Sequence, residues 1–416
     1  MTSQNQILEQ IQNRILWLSV KMVDHANHIR SNPSGVKVGG HQASSASVVT
    51  ILTYLYFEYM KSGDRLSLKP HASPVFHAIQ VLLGKLDPTY LTKLRQFHGL
   101  QAYPSRTKDP DDVDFSSGSV GLGAVAPNFA SLAEEYVRTH LNPSSGVDRR
   151  YISLIGDAEL DEGSVWEAIS EPELKNMTNV LWIVDLNRQS LDRIIPGIRV
   201  SAWRDMFVAN GWKYVDAKYG KKLQAAFNLP KGEILRQSID DMSNDVYQRL
   251  LRVDAQTLRD WLPRTTPFSQ DMTDLITQWD DDELQALFRN LGGHDFSMLR
   301  EAFSQLDLQS GPNVLFAYTL KGWMLPSVGD PQNHSVTLNA QQMDLLKQTL
   351  GIQPDDPVKF DPDSEPGKLC SRVGSTLTQS PNTLNGAKTL QIPKGCLIDQ
   401  LSIFVPTFSV NSPLRR

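Results

Sequence analysis

The chain has 416 residues, of which 40% are hydrophobic, and its formal net charge at pH 7 is -5. This length allows two or three domain-sized units, and the negative charge argues against nucleic-acid binding that depends on overall positive charge. No run approaches about 18 consecutive apolar residues, which excludes an ordinary membrane-spanning helix. Cys370 and Cys396 form no disulfide scaffold or metal pattern. With a polar amino terminus that lacks an apolar signal core, we expect a cytoplasmic protein.

The first third of the chain is predicted to be mostly helical. Apolar positions recur at helical spacing over residues 5–30, and Ser-Asn-Pro-Ser-Gly at residues 31–35 ends that helix. Residues 45–60 are predicted to form a buried helix, and Pro74 is expected at the first position of another. Residues 108–118 are rich in Asp, Pro and Ser, and they are predicted to form an ordered surface loop.

A glycine-rich turn at residues 118–123 leads into a helical segment that is predicted to extend through Arg138. Such a turn can present backbone N–H groups and a helix terminus to an anion, although most Gly-x-Gly turns are simply turns. Residues 150–185 then show the pattern of strand, helix and strand. This segment predicts a βαβ unit with a right-handed crossover.

The two predicted strands of this unit end in polar residues. Gly-Asp-Ala-Glu follows the apolar run 151–155, and Asp-Leu-Asn-Arg-Gln follows the apolar run 180–184. Ligands of open α/β sheets bind at the carboxyl ends of such strands. We therefore expect Asp157 and Asn187 to converge as oxygen ligands of an octahedral divalent cation that also holds a diphosphate.

The rest of the chain completes the predicted architecture. Residues 220–310 are mostly polar and helical, which predicts a helical insertion beside the sheet, and residues 313–320 predict a further strand. After Gly351, prolines alternate with acidic residues as in a linker, and one mostly apolar stretch follows at 397–405. We predict an α/β fold with a mostly parallel sheet and helices on both faces, comprising a domain of residues 1–350 and a linker with an atypical tail at 351–416.

The polar strand ends resemble the thiamine diphosphate fingerprint, in which Gly-Asp-Gly is followed by an asparagine after the next strand. Ala158 replaces the second glycine, and it can fit if its φ angle is negative. Over roughly residues 20–350 the chain is similar to the amino-terminal half of homodimeric-type pyruvate dehydrogenase, the thiamine-dependent component of the 2-oxo acid dehydrogenase complex. The motifs that carry this resemblance occur in family order: GGHQAS at 39–44, PHASP at 70–74, AYP at 102–104, SVGLG at 119–123, GDAELDE at 156–162, NRQSLD at 187–192 and LGGHD at 291–295.

The resemblance implies thiamine diphosphate and Mg²⁺ as cofactors. Asp157, the Asn187 side chain and the Gln189 backbone carbonyl are the implied metal ligands. The implied cofactor-binding residues are Ser44, Tyr103, Val120, Gly121, Asp157, Ala158, Glu159, Asn187 and Gln189.

Histidines supply the implied catalytic groups. His41, His71 and His294 match histidines that line the family's active site, where an imidazole can donate hydrogen bonds or move protons. His334 falls near another histidine position of the family. Lys69 stands where the family usually has glutamine, and it adds a charge beside the cofactor, which puts pyruvate specificity in question.

The implied activity is decarboxylating dehydrogenation of a 2-oxo acid, with pyruvate as the expected substrate and a lipoyl-bearing acyltransferase component as the acyl acceptor. In this family a glutamate on a second, pyrimidine-binding domain protonates the cofactor. We expect that domain to come from another chain or a longer product, through a homodimer or a mixed pairing. No nucleic acid or membrane is expected as a partner. A transketolase-type transferase and a catalytically silent oligomerising fragment remain open as alternatives.

Overall fold

The computed structural model describes most of the chain, namely residues 3–141, 149–190, 193–194, 199–353 and 356–377. The strands are β1 Arg65–Leu68, β2 Tyr151–Gly156, β3 Val180–Leu186, β4 Gln189–Ser190, β5 Arg193–Ile194, β6 Lys213–Ala217 and β7 Asn313–Tyr318. The α-helices are α1 Gln4–Asp24, α2 Gln42–Ala46, α3 Val49–Tyr54, α4 Ser73–Leu82, α5 Leu122–Tyr136, α6 Gly163–Ile169, α7 Val200–Ala209, α8 Lys221–Phe227, α9 Gly232–Asp241, α10 Asn244–Leu250, α11 Ala255–Trp261, α12 Ser269–Ile276, α13 Asp281–Phe288, α14 Phe296–Ser304, α15 Ala340–Thr349 and α16 Glu365–Thr376.

A five-stranded sheet of order β1-β2-β3-β7-β6 forms the centre of the fold, and all of its paired strands are parallel. Because the strands are parallel, their carboxyl ends share one edge of the sheet. The register places Gly156 opposite Asp185, and Asp185 opposite Ala317. The polar residues that follow β2 and β3 are therefore held next to each other.

Hydrophobic cores cover both faces of this sheet. Leu181 and Ile183 of β3 join one core with α1, α3, α4 and α14, whereas Trp182 and Val184 join the other with α6, α7 and α8 to α13. Alternate residues of a strand point to opposite faces, so a strand that is buried throughout separates two cores. The predicted α/β fold is confirmed, including helices on both faces and the helical region between residues 220 and 310.

Several helix boundaries differ from those predicted. The first helix is confirmed as α1, and a π-helical turn at His25–Ile29 extends it. Residues 45–60 were predicted as one helix, but the structure breaks them into α2, α3 and a π-helical turn at Leu55–Tyr59. At the first break, the Ser47 hydroxyl oxygen lies 2.8 Å from Asp185 Oδ2, so the interruption brings a polar group to the end of β3. Pro74 lies in the first turn of α4, as expected.

The segment after Gly351 contains more structure than the predicted linker. Helix α16 lies within it and contributes the buried Cys370 and Val373 to the core that contains α1. The predicted boundary between a domain of residues 1–350 and a linker with tail at 351–416 stays a prediction. The apolar stretch 397–405 lies outside the described residues. In the described ranges, no helix combines the length and the apolar character that crossing a membrane requires.

Candidate active site

A cavity of about 220 Å³ opens at the carboxyl ends of β2 and β3. Its position follows from the topology, since loops after neighbouring parallel strands converge at this edge of an α/β sheet. The cavity wall brings together most of the predicted site residues, namely Ser44, His71, Tyr103, Val120, Asp157, Ala158, Glu159, Asn187 and Gln189.

Asp157 is the centre of the hydrogen bonding between the two strand ends. Its Oδ1 accepts the N–H of Ala158 at 3.0 Å, and its Oδ2 accepts the N–H groups of Asn187 at 3.2 Å and Arg188 at 3.0 Å. Burial, with the nearby charge of Asp185 adding to it, raises the pKa of Asp157 to about 7. A cation bound at this carboxylate would favour its ionised form.

The loop after β3 supplies two amide side chains. Arg188 has a left-handed φ of 64°, which turns the chain between Asn187 and Gln189. Asn187 Nδ2 donates to Asp185 Oδ2 at 3.2 Å, and its Oδ1 accepts the N–H of Gln189 at 3.2 Å. Gln189 Nε2 donates to Gln248 Oε1 at 3.1 Å. Within the described residues, Gln189 Oε1 is buried without a hydrogen-bond partner.

These groups fit the divalent cation that the sequence predicts. Carboxylate and amide oxygens are the ligands that Mg²⁺ prefers, and Asp157, Asn187 and Gln189 line the same cavity. The unpartnered Gln189 oxygen is a further indication, because a buried acceptor is costly unless something bonds to it. The predicted ligand at position 189 was the backbone carbonyl, whereas the unpartnered atom belongs to the side chain.

Lys69 is held at the base of the cavity by an ion pair with Asp185, and both side chains are buried. Lys69 Nζ also lies 2.9 Å from the Ser47 hydroxyl oxygen, and the Thr319 hydroxyl donates to Asp185. Burial opposes ionisation of Asp185, but the Lys69 charge and these hydrogen bonds lower its pKa overall. The lysine that replaces the family's glutamine therefore has its own counter-ion in this chain.

Glu159 joins the turn after β2 to the glycine-rich turn. Its Oε2 accepts the N–H of Gly156 at 2.9 Å, and its Oε1 accepts the N–H of Gly121 at 3.3 Å. Gly121 has a φ of 82°, and a Cβ atom there would lie 3.1 Å from Glu162 Cβ. The 15-residue helix α5 begins directly after this turn, while Val120 lines the cavity. A helix amino terminus beside the cavity favours an anion there.

The backbone at Ala158 is compatible with alanine, because its φ angle is not positive. It lies in a 3₁₀ helix, Asp157–Asp161, and is not among the described non-glycine residues with positive φ. Its side chain is exposed at the cavity wall. The glycine-to-alanine departure therefore introduces no left-handed strain at this position.

His71, His334 and Tyr103 form another part of the wall, and the predicted His41 lies behind them, outside the residues that line the cavity. The His41 and His71 ring centroids are 3.8 Å apart, and the His41 and His334 centroids are 4.4 Å apart. Tyr103 lies 5.7 Å from His71. Burial is the main cause that lowers the pKa of His71 to about 2, and electrostatic repulsion from His41 adds to it. Burial also lowers the pKa of His41. Both imidazoles are therefore neutral at physiological pH.

His294 does not join these histidines. It lies in a 3₁₀ helix, Gly292–His294, where its Nε2 accepts the N–H of Leu320 at 2.8 Å and its ring stacks on Trp323 at 4.1 Å. Burial lowers the pKa of His294 to about 3. Because Nε2 already accepts a backbone N–H and the ring packs on Trp323, His294 is held as part of the protein interior. Its predicted catalytic role stays a prediction.

Two charged residues at the strand ends were not predicted as site residues. Lys321 follows β7 and lines the cavity, and Asp185 at the end of β3 holds Lys69. A polar residue after a buried strand was the signal that identified Asp157, and the same signal is present at both positions. The pairing of Asp185 with a lysine 116 positions earlier has no local signal.

Comparisons with known proteins agree with this geometry. The family model of the transketolase thiamine diphosphate binding domain matches residues 10–231. The pyruvate dehydrogenase E1 component of Buchnera aphidicola subsp. Schizaphis graminum is 25% identical over 340 residues, covering 79% of this chain and 37% of that protein. Its Escherichia coli counterpart is 24% identical over 349 residues, covering 81% of this chain and 38% of that protein.

Solved structures show the same fold. A transketolase from Campylobacter jejuni superposes with a TM-score of 0.60 at 18% identity, covering 90% of this chain and 47% of that one. A transketolase from Leishmania mexicana gives a TM-score of 0.59 at 17% identity, covering 89% of this chain and 45% of that one.

A parallel sheet with a cavity at its carboxyl edge, bordered by the polar residues that follow two neighbouring strands, is the arrangement of a cofactor-binding α/β domain. The chain belongs to the transketolase thiamine diphosphate-binding domain family. The predicted kinship with the amino-terminal half of this superfamily is confirmed. The chain spans 37% to 38% of the length of these two relatives.

Proposed function

We propose that this chain binds the diphosphate and the Mg²⁺ ion of thiamine diphosphate in a 2-oxo acid dehydrogenase whose substrate is pyruvate. The observation that carries the proposal is the convergence of Asp157, Asn187 and Gln189 in one cavity. The pyruvate dehydrogenase E1 relatives support a 2-oxo acid as the substrate class. A lipoyl-bearing acyltransferase component is the acyl acceptor in this proposal.

Each part of the cavity has a binding role in this proposal. Asp157, Asn187 and Gln189 hold Mg²⁺ through oxygen atoms, and the metal holds the diphosphate. The Gly121 turn presents the amino terminus of α5 to the diphosphate, and Lys321 adds positive charge at the cavity wall. Glu159 holds the two turns together through its hydrogen bonds to backbone N–H groups.

Thiamine diphosphate, when bound, supplies the carbanion chemistry that cleaves the bond next to a 2-oxo group. His71 would donate a hydrogen bond to the substrate carbonyl or carboxylate from its neutral imidazole, and His41 would accept a hydrogen bond or a proton through Nε2. The His41 Nδ1 atom lies 2.9 Å from the His334 carbonyl oxygen, so a proton on Nδ1 donates there and fixes the orientation of the ring. Tyr103 closes this side of the cavity beside His71.

Calorimetric titration tests the anchor. The purified chain is titrated with thiamine diphosphate and, separately, with inorganic diphosphate, each with and without Mg²⁺. We expect both ligands to bind only with Mg²⁺, and Asp157→Asn to weaken both at least about 100-fold, because a metal-binding charge is lost. Asp161→Asn is the matched control, since Asp161 is exposed in the same 3₁₀ helix.

Binding that is independent of Mg²⁺, or equal in Asp157→Asn and the wild-type chain, would refute the anchor. Similar affinities for the two ligands would assign recognition of the aminopyrimidine ring to another domain. When the pyrimidine-binding domain is also present, the reaction products distinguish a 2-oxo acid dehydrogenase from a transketolase-type transferase. Acetylation of a lipoyl domain from pyruvate supports the proposal, whereas ketol transfer between sugar phosphates would replace it with a transketolase-type activity.

A further inference from the structure

A cavity separate from the candidate active site has a volume of about 790 Å³, and we call it the second cavity. Its wall is formed by α1, α13, α15, the start of α8 and the loop after β7. Cavities that bind small molecules commonly have volumes of about 300–1,000 Å³. No described residue lines both this cavity and the candidate active site, so the two are distinct spaces.

The segment that follows β7 separates the two cavities. Lys321 lines the candidate active site, whereas Trp323 and Leu325 line the second cavity. His294 holds this segment, because its Nε2 accepts the N–H of Leu320 and its ring stacks on Trp323 at an interplanar angle of 9°. Trp323 is only half-buried, so part of its indole is open to the second cavity. A planar ligand ring can stack on that surface.

Two arginines on another part of the wall lack a carboxylate partner. Within the described residues, neither Arg252 nor Arg289 forms an ion pair with an acidic side chain. Arg289 is half-buried, and its Nη2 donates to the carbonyl of Leu251, the residue before Arg252, at 2.7 Å. Burial lowers the pKa of Arg289, and Tyr247, rather than a carboxylate, opposes this effect. The two guanidinium groups therefore start from neighbouring points of the wall and favour an anionic ligand.

The acidic residues of the wall do not offset these arginines. Both carboxylate oxygens of Asp295 accept backbone N–H groups, at 2.8 and 3.0 Å. Burial raises the pKa of Glu9, and the nearby charge of Lys222 opposes that rise. Asp282 precedes Arg289 by seven positions on α13, which separates their Cα atoms by about 10 Å along the helix axis. The part of the wall around Arg289 therefore keeps an excess of positive charge.

We propose that the second cavity binds a nucleotide, with the phosphate groups on Arg252 and Arg289 and the planar base against Trp323. A nucleotide combines the two features that this wall can recognise, a phosphate for the guanidinium groups and a flat ring for the indole. The site does not rest on the proposed function, because it uses neither the Mg²⁺ anchor nor any residue of the candidate active site.

Calorimetric titration with ADP in the presence of EDTA tests the site. EDTA removes Mg²⁺, on which diphosphate binding at the candidate active site is expected to depend. We expect one ADP per chain, and an affinity at least about tenfold lower in Arg289→Gln because charged hydrogen bonds to phosphate are lost. Arg372→Gln is the matched control, since Arg372 is exposed and lies outside the cavity wall. Adenosine and inorganic phosphate, which each carry one part of the ligand, should bind more weakly than ADP.

Absence of ADP binding would overturn the proposal. An affinity in Arg289→Gln equal to that of the wild-type chain, or an equal loss in Arg372→Gln, would also overturn it. Asp157→Asn should retain the ADP affinity, and a loss there would assign ADP to the candidate active site instead. Adenosine or inorganic phosphate that binds as tightly as ADP would contradict recognition of both parts of the nucleotide.

A second variant tests the cavity without removing a charge. Ala286 is exposed on α13, three positions before Arg289, and lines the second cavity. In Ala286→Trp the larger side chain fills the space, so ADP binding should be lost. Circular dichroism checks that each variant is folded, and Ala286→Trp decides the question if Arg289→Gln unfolds. An unchanged ADP affinity in folded Ala286→Trp would overturn the proposal.

Discussion

Two buried polar clusters of this fold have similar compositions and different bonding. In one, the Lys69–Asp185 pair lies beside Asn187 and Asp157 at the cavity. In the other, which we call the His77 cluster, His77 on α4 lies between Asp109 and Asp111 of the loop that precedes α5. Both clusters combine carboxylates with a basic side chain, so composition alone does not tell which of them belongs to a metal site.

The difference lies in what each cluster borders. His77 Nδ1 lies 2.7 Å from Asp111 Oδ2, and its Nε2 lies 3.0 Å from the Ser73 hydroxyl oxygen. Each Asp109 oxygen accepts a backbone N–H, from Gln101 and from Ser105, leaving Asp111 Oδ1 as the cluster's unpartnered atom. The His77 cluster therefore fixes a loop, whereas the residues around Asp157 surround a cavity. The cavity beside the cluster, and not an unpartnered atom within it, distinguishes the candidate ligand site from the structural one.

The largest expected effect concerns the Lys69–Asp185 pair. Asp185→Ala leaves the Lys69 charge buried without its counter-ion, so the free energy of unfolding should fall by about 3–5 kcal/mol. Urea unfolding measures this loss. Asp161→Ala is the exposed control and should change stability by less than about 0.5 kcal/mol. A similar small change in Asp185→Ala would show that the pair is not a buried ion pair in solution.

The His77 cluster should affect stability and leave diphosphate binding intact. Asp111→Ala removes the partner of His77 Nδ1, which should cost about 1–3 kcal/mol in urea unfolding. Asp112→Ala is the neighbouring exposed control. We expect Mg²⁺-dependent binding of inorganic diphosphate to be unchanged in Asp111→Ala. Loss of that binding in a folded variant would remove the distinction between the two clusters.

His294 should behave as a structural group in its pH dependence. Its pKa is about 3 in the folded chain, against 6.5 without that environment, so below pH 6.5 the unfolded state binds the extra proton. Stability contributed by neutral His294 is therefore full above pH 6.5 and is lost as pH falls toward 3. His294→Gln should make the fall shallower by about 1.4 kcal/mol per pH unit between about pH 5 and 4. Urea unfolding between about pH 5 and 4 measures this slope of the free energy of unfolding against pH, and His140→Gln is the control because His140 is exposed. An unchanged slope would contradict burial of a neutral imidazole.

The smallest expected effect on ligand binding concerns the charge that Lys69 adds. Lys69→Gln removes a positive charge near Asp157 and leaves Asp185 uncompensated, so the Mg²⁺ concentration needed for diphosphate binding should fall by up to about tenfold. Calorimetry measures that dependence, and urea unfolding confirms that the variant is folded. Lys368→Gln is the exposed control. A higher Mg²⁺ requirement would instead assign Lys69 a direct role in holding the diphosphate.

The sequence predicts the centre of the sheet better than its edges. The runs that form β2 and β3 are apolar throughout because both faces of each strand are buried. By contrast, β1 has four residues and β6 alternates between exposed and buried positions, and both lie at the edges of the sheet. Neither was predicted, because short edge strands lack the long apolar run by which central strands are recognised.

The candidate site also has a part that could be predicted from the sequence and a part that could not. Asp157 and Asn187 follow recognisable strands, so their meeting could be predicted from the parallel topology. The partners of Lys69 and His77 could not, because Lys69 meets Asp185 across 116 positions and His77 meets Asp111 across 34. Such pairs depend on how separate elements pack, and residue periodicity carries no information about that packing.

Ala158 offers experimental access to the cavity. Its side chain is exposed at the wall, and its backbone does not require glycine. A cysteine introduced there in a Cys396→Ser background could carry a fluorescent label, since Cys370 is buried and would react slowly with a maleimide. The label would stand beside Asp157 without replacing any of the oxygen donors. The one departure from the fingerprint is thus the natural attachment point for a reporter of occupancy.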